Sequence, residues 1–517
     1  MIDCLFINPG NAKGLYQELA NRFSTIEPPT WALLLAKSCQ TRGHQVGILD
    51  TNAEHLTDEE SLERIRALNP RVLVFVVYGQ NVNAGTTSMS GAVRLSKFLK
   101  AAGVAIPIAF VGSYLQALPM KAIRDESSID FAFVNEGVYA LWNLLAAPAI
   151  DVHDLGWLKG IVWRRHGEAV MNPPEKLVPQ ERMDKDLPGY AWDLLPKKEK
   201  PFDLYRSPHW HAGYIEAHRT PYATLQTQIG CMFKCNFCMI NSINRDDDAE
   251  IGVAANYSGM RYWSPETVIG WFDELVRLGV DTIRVVDEMF LLNRKYYVPL
   301  CEMLRDRGYG KHLRLWSYSR VDTVSNPEIL KLVRDAGFRW LCLGIEAANR
   351  NVRLEVSKGK FQDVDIRKVV QQIHDAGIEV LANYIVGLPG ETRETMQETL
   401  DLSLELCTSG WNCYAAMALP GSGLYKSAVE KGIELPSTYE AFGFHSYDCL
   451  PMRNENLTAA QLLKFRDDAF HTYHTNPAVL ARVERIFGAE AAANMRDMTK
   501  IRLKRRLVEE AEAVGAL

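Results

Sequence analysis

Short apolar runs alternate with amphipathic segments through the first 145 residues. Residues 71–77 are apolar almost without alternation, which is typical of a parallel strand covered on both faces. Similar runs occur in the first ten residues and at 45–49, 107–111 and 130–134, and a helix is predicted to begin after Pro28-Pro29 and to end at Gly43. The pattern predicts an α/β, doubly wound Rossmann-like domain over residues 1–150.

Residues 151–220 break this rhythm with prolines and mixed charge, so we expect a linker there. From residue 221 a second series of strands and helices begins, with candidate strands at 223–229, 282–286, 313–317, 341–345, 379–386 and 413–418. Six such units predict a partial (β/α)6 barrel over 221–430, with its sites at the carboxyl ends of the strands. Residues 431–517 are expected to form a mostly helical C-terminal region.

Composition narrows the class of protein. The 517 residues carry a net charge of -5 and are 47% hydrophobic, so large cores are expected and nucleic acid is not a favoured partner. No apolar run approaches the roughly 20 residues that a transmembrane helix needs. The first residues have no basic region of the kind that opens a signal peptide, so we expect a cytoplasmic protein.

Three of the ten cysteines, Cys231, Cys235 and Cys238, lie within eight residues at the end of the first predicted barrel strand. Thiolates select zinc or iron-sulfur clusters. A structural zinc site would need a fourth ligand at short spacing, and none follows within the next several residues. Three ligands therefore favour a 4Fe-4S cluster with one free corner, and the other seven cysteines are interpreted as buried thiols.

The spacing C-x3-C-x2-C, with Phe237 before the third cysteine, resembles the radical S-adenosylmethionine (SAM) superfamily. The resemblance implies that the unligated iron binds SAM, and that one electron, from a donor such as flavodoxin or ferredoxin, cleaves SAM to a 5'-deoxyadenosyl radical. Further strand ends match the family, including Gly344-Ile345-Glu346 and the stretch Leu419–Leu424. The SAM contacts that the resemblance implies are Phe237, Asp287, Glu288, Arg320, Glu346, Ile385 and Gly387.

Taken one at a time, these matches have simpler explanations. Turn and capping chemistry accounts for most of them. Arg320 could pair with Asp322, and Glu346 could pair with Arg350 one helical turn later. Their common position at successive strand ends favours the cofactor interpretation.

The N-terminal domain resembles the cobalamin-binding domain of class B radical SAM enzymes, through Gly112-Ser113-Tyr114 and Asn135-Glu136-Gly137 at strand ends. Both turns depart from the family's Gly-Gly and Gly-Glu-Gly-Glu patterns. The implied cobalamin contacts are Tyr78, Gly79, Gln80, Asn81, Gly112, Ser113, Tyr114, Asn135, Glu136 and Gly137. The string Asp151 to Gly156 matches D-x-H-x-x-G, but it follows the last strand of the domain instead of the first, so we interpret His153 as a chance match.

The resemblance implies a methyltransferase that acts on an unactivated carbon or phosphorus of a small-molecule or lipid intermediate. The methyl group would pass from SAM to cobalamin and then to a substrate radical. Oxidative cyclisation or ring rearrangement on the same cofactors is the first alternative. The second is a non-catalytic metal-binding scaffold.

Overall fold

The computed structural model describes residues 2–78, 82–208, 216–324, 326–356, 361 and 363–517. Within them the strands are β1 (Cys4–Asn8), β2 (Val46–Asp50), β3 (Val72–Val77), β4 (Ile108–Gly112), β5 (Phe131–Phe133), β6 (Ile161–Arg165), β7 (Glu168–Met171), β8 (Tyr222–Leu225), β9 (Gln228–Cys231), β10 (Gly259–Tyr262), β11 (Thr282–Val285), β12 (Arg314–Arg320), β13 (Phe338–Glu346), β14 (Glu379–Val386) and β15 (Gly410–Ala415). The α-helices are α1 (Ala12–Tyr16), α2 (Thr30–Gln40), α3 (Asp58–Leu68), α4 (Gly85–Ala101), α5 (Ser113–Ala117), α6 (Pro119–Asp125), α7 (Val138–Ala146), α8 (Met183–Asp186), α9 (Pro265–Arg277), α10 (Arg294–Asp306), α11 (Pro327–Asp335), α12 (Arg350–Val356), α13 (Ile366–Asp375), α14 (Arg393–Leu406), α15 (Gly423–Glu430), α16 (Ala459–His474), α17 (Pro477–Phe487), α18 (Ala489–Thr499) and α19 (Arg506–Ala513).

The first sheet has the order β2-β1-β3-β4-β5-β6-β7. Its first five strands are parallel, as predicted, and β6 and β7 add to the edge in antiparallel pairing. The sheet therefore continues to Met171, beyond the predicted boundary at 150. A tight hairpin turn joins the two added strands. Its residues, His166 and Gly167, both have positive φ, at 50° and 90°.

The second sheet has the order β15-β14-β13-β12-β11-β8, with every pairing parallel. This is the predicted partial barrel, open between β15 and β8. The first barrel strand ends at Leu225, earlier than predicted, because the Asp287 carboxylate accepts the backbone N–H groups of Thr227 (2.7 Å) and Gln228 (3.2 Å). The chain then turns into β9, which pairs with β10 outside the barrel.

The C-terminal helices pack on the last barrel strand and on the N-terminal domain. Trp411 of β15 stacks on Tyr473 of α16, with ring centroids 5.4 Å apart. The Gln17 side-chain amide donates to the carbonyl oxygens of His445 (2.7 Å) and Lys504 (3.1 Å). The region therefore holds the open side of the barrel against the start of the chain. In the described residues, no helix is long and apolar enough to cross a membrane.

Two buried ion pairs join the N-terminal domain to the barrel. Glu136, after β5, lies 2.8 Å from the Arg261 guanidinium of β10. Glu27, before α2, lies 2.7 Å from the Arg284 guanidinium of β11. Both carboxylates are at least nine-tenths buried, and a buried charge that loses its partner is strongly destabilising. The Glu136 pair therefore holds the first domain against the β9–β10 hairpin, and the Glu27 pair holds it against the barrel sheet.

We expect the substitution Glu136→Gln to remove one charge of a buried pair and to destabilise the protein by about 3 kcal/mol, which lowers the Tm by roughly 6 °C. Differential scanning calorimetry measures the change. The matched control is Glu250→Gln, because Glu250 forms an ion pair of similar length with Arg124 (2.7 Å) but both side chains are more than half exposed. Its removal should cost under about 1 kcal/mol, and equal losses in the two variants would contradict the proposed role of Glu136.

Candidate active site at the barrel mouth

A cavity of about 890 Å³ connects the three parts of the chain. Its lining includes the three clustered cysteines, the ends of several barrel strands, residues that follow β1 and β3, and part of the C-terminal region. The carboxyl ends of parallel strands are where α/β folds place their ligands. The cavity is therefore the candidate active site.

The cysteine loop is held by hydrogen bonds from several elements. The Cys231 backbone N–H donates to Asn241 Oδ1 (2.8 Å), and the N–H groups of Phe233 and Ile240 lie 3.4 Å from Cys231 Sγ and Cys238 Sγ. From beyond β15, the Leu424 N–H donates to the Asn236 carbonyl oxygen (2.9 Å). The predicted stretch Leu419–Leu424 thus supports the cysteine loop.

All three clustered cysteines are buried or half-buried at one cavity. Burial raises the pKa of Cys231 to about 12 and that of Cys235 to about 11, and it also raises the pKa of Cys238; iron would have to displace the protons. In the chain as far as it is described, no three His, Cys, Asp or Glu side chains converge on a single-ion site. The thiols nevertheless line one cavity, as ligands of separate irons in a 4Fe-4S cluster would.

The two acids that follow β11, Asp287 and Glu288, have different surroundings. Asp287 is buried, and its carboxylate also accepts the Thr227 hydroxyl in addition to the two backbone N–H groups described above. Glu288 lines the cavity, whereas the lining does not include Asp287. Burial raises the pKa of Glu288 to about 7, because the carboxylate is partly removed from water. Of the two predicted acids, Glu288 is therefore placed to contact a ligand.

Arg320 lines the cavity at the end of β12. Its Nε lies 2.8 Å from Asp322 Oδ1, so the pairing considered from the sequence does form. Its guanidinium also lies over the Phe233 ring, 3.6 Å from the centroid, in a cation–π contact. Burial raises the pKa of the Cys235 thiol, and the positive charge of Arg320 lowers it. Asp322 and Phe233 therefore hold Arg320 beside the cysteine loop.

The backbone of Glu346 adopts a strained conformation, of a kind that clusters at functional sites. Its φ is +65°, which is unusual for a residue that is not glycine. The carboxylate lies close to Gly344, where a Cβ would come within 2.7 Å of Glu346 Oε1. Arg350 pairs with Asp363 at 2.8 Å, not with Glu346. Burial raises the pKa of Glu346 to about 7, and its side chain lines the cavity.

The remaining predicted SAM contacts differ in their placement. Phe237 and Ile385 line the cavity. Gly387 does not: its φ is +83°, and a Cβ there would lie 2.7 Å from the Leu462 side chain. The glycine is thus required for packing against α16, which explains its place in the motif without a ligand.

The structure describes seven of the ten predicted cobalamin contacts. Gly79, Gln80 and Asn81 lie outside the described residues. The other predicted contacts, all described, are absent from the cavity lining: Tyr78, Gly112, Ser113, Tyr114, Asn135, Glu136 and Gly137.

Four of these residues make contacts within the protein. Tyr78 accepts a hydrogen bond from Gln116, whose side-chain oxygen accepts from Ser242 of the barrel domain (3.1 Å). Tyr114 packs edge-on against Tyr439, and Asn135 donates to the Glu175 carbonyl oxygen (2.9 Å). A Cβ on Gly112 would lie 2.3 Å from the Val77 carbonyl oxygen. Turn residues after parallel strands serve domain packing here, a use that their sequence pattern does not distinguish from ligand binding.

The first domain reaches the cavity through residues that the sequence argument missed. Asn83, Ala84 and Thr87 follow β3 and line the cavity. Asn83 Oδ1 accepts the Met239 N–H (3.0 Å), and its Nδ2 lies 3.9 Å from Cys238 Sγ. The strand-end rule pointed to this loop, but the prediction stopped at residue 81. His153 is exposed and is not part of the lining.

The comparisons with known proteins match both domains. The family model of the radical SAM superfamily matches residues 225–403, and that of the B12 binding domain matches residues 19–145. An uncharacterised methyltransferase of Pyrococcus horikoshii is 24% identical, over 89% of this chain and 90% of its own. An anaerobic magnesium-protoporphyrin IX monomethyl ester cyclase of Cereibacter sphaeroides is also 24% identical, over 84% of this chain and 65% of the cyclase.

Solved structures share the fold over nearly the whole chain. The radical SAM methyltransferase TsrM from Kitasatospora setae, with tryptophan and a SAM analogue bound, gives a TM-score of 0.64 at 16% identity and covers 97% of this chain and 99% of TsrM. The cobalamin-dependent radical SAM enzyme OxsB gives 0.65 at 13% identity, over 97% of this chain and 71% of OxsB. With a B12-binding domain ahead of a radical SAM barrel, this chain belongs to the cobalamin-dependent radical SAM enzymes, whose cofactors are a 4Fe-4S cluster, SAM and cobalamin.

Proposed function

We propose that this enzyme transfers a methyl group to an unactivated carbon or phosphorus of a small-molecule or lipid intermediate. The observation that carries the proposal is the shared cavity, in which the cysteine loop and the loop after β3 of the B12-binding domain face the same space. Relatives named as methyltransferases support it, including a hopanoid C-2 methylase of Rhodopseudomonas palustris that is 29% identical over 33% of this chain.

When bound, cobalamin and SAM supply the methyl group and the radical that activates the substrate. The protein positions these cofactors and excludes water from them. Cys231, Cys235 and Cys238 would hold the cluster, Glu288 and Arg320 would bind the charged groups of the SAM methionine portion, and Glu346 would accept hydrogen bonds from the ribose. Residues of the C-terminal region line the rest of the cavity and exclude water from the reacting atoms.

Cyclisation on the same cofactors is the second candidate, because several relatives are named as anaerobic cyclases. Product mass separates the two outcomes. We would incubate the reconstituted enzyme anaerobically with a one-electron donor, a cell extract and SAM that carries a CD₃ methyl group. Methyl transfer predicts a product in which that label appears. A new product without the label, formed together with 5'-deoxyadenosine, would favour cyclisation or rearrangement.

Replacing Cys235 by Ala should abolish both the cluster and SAM cleavage, because each cysteine supplies one of three protein thiolates. Iron content and 5'-deoxyadenosine production are the measurements. Cys301→Ala is the matched control, since Cys301 is a fully buried thiol of α10 that does not line the cavity, and it should leave both values unchanged. Normal iron content in the Cys235→Ala protein would refute the assignment.

Replacing Glu346 by Gln should raise the SAM dissociation constant roughly tenfold with iron content unchanged, because a charged acceptor of the ribose hydroxyls is lost. Equilibrium binding of SAM to the cluster-loaded protein tests this. Glu355→Gln, at an exposed position of α12, is the control and should bind SAM normally. An unaltered affinity in the Glu346 variant would remove this residue from the SAM site.

A further inference from the structure

A cluster of charged residues from the C-terminal region lies along the cavity lining. It contains Arg466, Asp467, Arg505 and His445, all of which line the cavity. The Asp467 carboxylate accepts hydrogen bonds from both arginines: Arg466 Nη1 lies 2.8 Å from Oδ1, and Arg505 Nε lies 2.8 Å from Oδ2. The Arg466 and Arg505 side chains are 7% and 2% exposed, so the cluster is part of the interior.

The charges in this cluster do not balance. Two guanidinium groups face one carboxylate, and the Arg466 and Arg505 ion pairs within the described residues are both made with Asp467. His445 adds no charge, because burial and the two arginines hold its pKa well below the usual range. A buried positive charge without a counter-ion is costly. An anion bound in the cavity would offset it.

The other buried arginines of the cavity do not present the same surplus. Arg284 pairs with Glu27, and Arg320 pairs with Asp322. In the C-terminal cluster two guanidinium groups share one carboxylate, and these residues come from elements separate from the cysteine loop. This separation makes the cluster distinct from the residues assigned to SAM.

The wall beside the charged cluster combines apolar and charged side chains. Its apolar members include Leu15, Leu19 and Phe23 from the segment after β1, and Met495, Met498 and Ile501 from α18 and the residues after it; further charged side chains on it are Asp468, Arg502, Lys504, Glu509 and Glu512. Apolar surface that carries placed charged groups suits an amphipathic ligand. Methionine side chains in particular adapt to irregular apolar shapes.

We propose that the substrate is an amphipathic anion, with an apolar body along the walls formed by the N-terminal segment and α18 and with a carboxylate or phosphate group at Arg466 and Arg505. The proposal rests on the proposed function, in that it takes this cavity to hold the methyl acceptor. The positive charge of the two guanidinium groups attracts either head group. Within the protein, Arg505 Nε and Nη2 donate to Asp467, Arg505 Nη1 donates to the Ser446 carbonyl oxygen, and Arg466 Nε donates to the Cys413 carbonyl oxygen.

Isothermal titration of the enzyme loaded with cluster and cobalamin tests the proposal with three probes of equal chain length: octanoate, octyl phosphate and octan-1-ol. We expect at least one anion to bind about tenfold or more tightly than the alcohol, since a hydrogen bond to a charged group favours it by that order. The stronger of the two anions identifies the head group. Equal affinities for all three probes, or no binding of any, would overturn the proposal.

Substitutions test whether the preference for an anion depends on the charged cluster. Arg466→Gln should abolish the preference for the anion while leaving the octan-1-ol affinity unchanged, and Arg466→Lys should keep part of the preference. Lys464→Gln is the matched control, because Lys464 also lines the cavity but pairs with Asp468 on a more exposed surface. An anion preference that survives in Arg466→Gln would also overturn the proposal. None of these measurements requires turnover, so a failure of methyl transfer would be detected separately, in the labelled-SAM experiment.

Discussion

The Asp287 carboxylate determines where the cysteine loop can lie. By accepting the backbone N–H groups of Thr227 and Gln228 and the Thr227 hydroxyl, it ends the first barrel strand and turns the chain outward into β9. Burial raises the pKa of Asp287 to about 7, and the three donated hydrogen bonds act in the opposite direction. The short β9 then leads directly to Cys231, over the mouth of the barrel. Asp287, which the family resemblance assigned to SAM, therefore also supports the loop that carries the cluster ligands.

The active site depends equally on contacts that fix the domains to each other. Glu136 holds the first domain against Arg261 of the β9–β10 hairpin, and Glu27 holds it against Arg284 of the barrel. Asn83 extends from the B12-binding domain to the Met239 N–H in the cysteine loop. Reactions that use two cofactors depend on orientation, and small displacements are costly in rate. Rigid contacts on both sides of the cavity meet this requirement.

The sequence predicted most of the fold and the chemical centre of the site. Parallel buried strands such as residues 71–77, and the spacing of the three cysteines, are local patterns that tertiary contacts did not override. Ligand-facing side chains were harder to predict, because Asp287 and Glu288 are neighbours and only the turn at Thr227 decides which of them faces the cavity.

The cobalamin contacts and the C-terminal region were the least predictable parts. Glycine and polar residues after parallel strands fit both ligand binding and domain packing, and Asn135 and Glu136 are used for packing. No sequence motif predicts the charged cluster at Arg466. Arg505 and His445 are distant from Arg466 in the sequence, and only the fold brings them to the same cavity wall.

We propose that the cluster and cobalamin face each other in one cavity, and paramagnetic resonance can detect this arrangement. Cob(II)alamin and the reduced 4Fe-4S cluster are both paramagnetic, so two centres in the same cavity must interact magnetically. We predict that the cob(II)alamin signal relaxes faster when the cluster is reduced than when it is oxidised and diamagnetic. The same relaxation in both states would show that the two cofactors do not share the cavity.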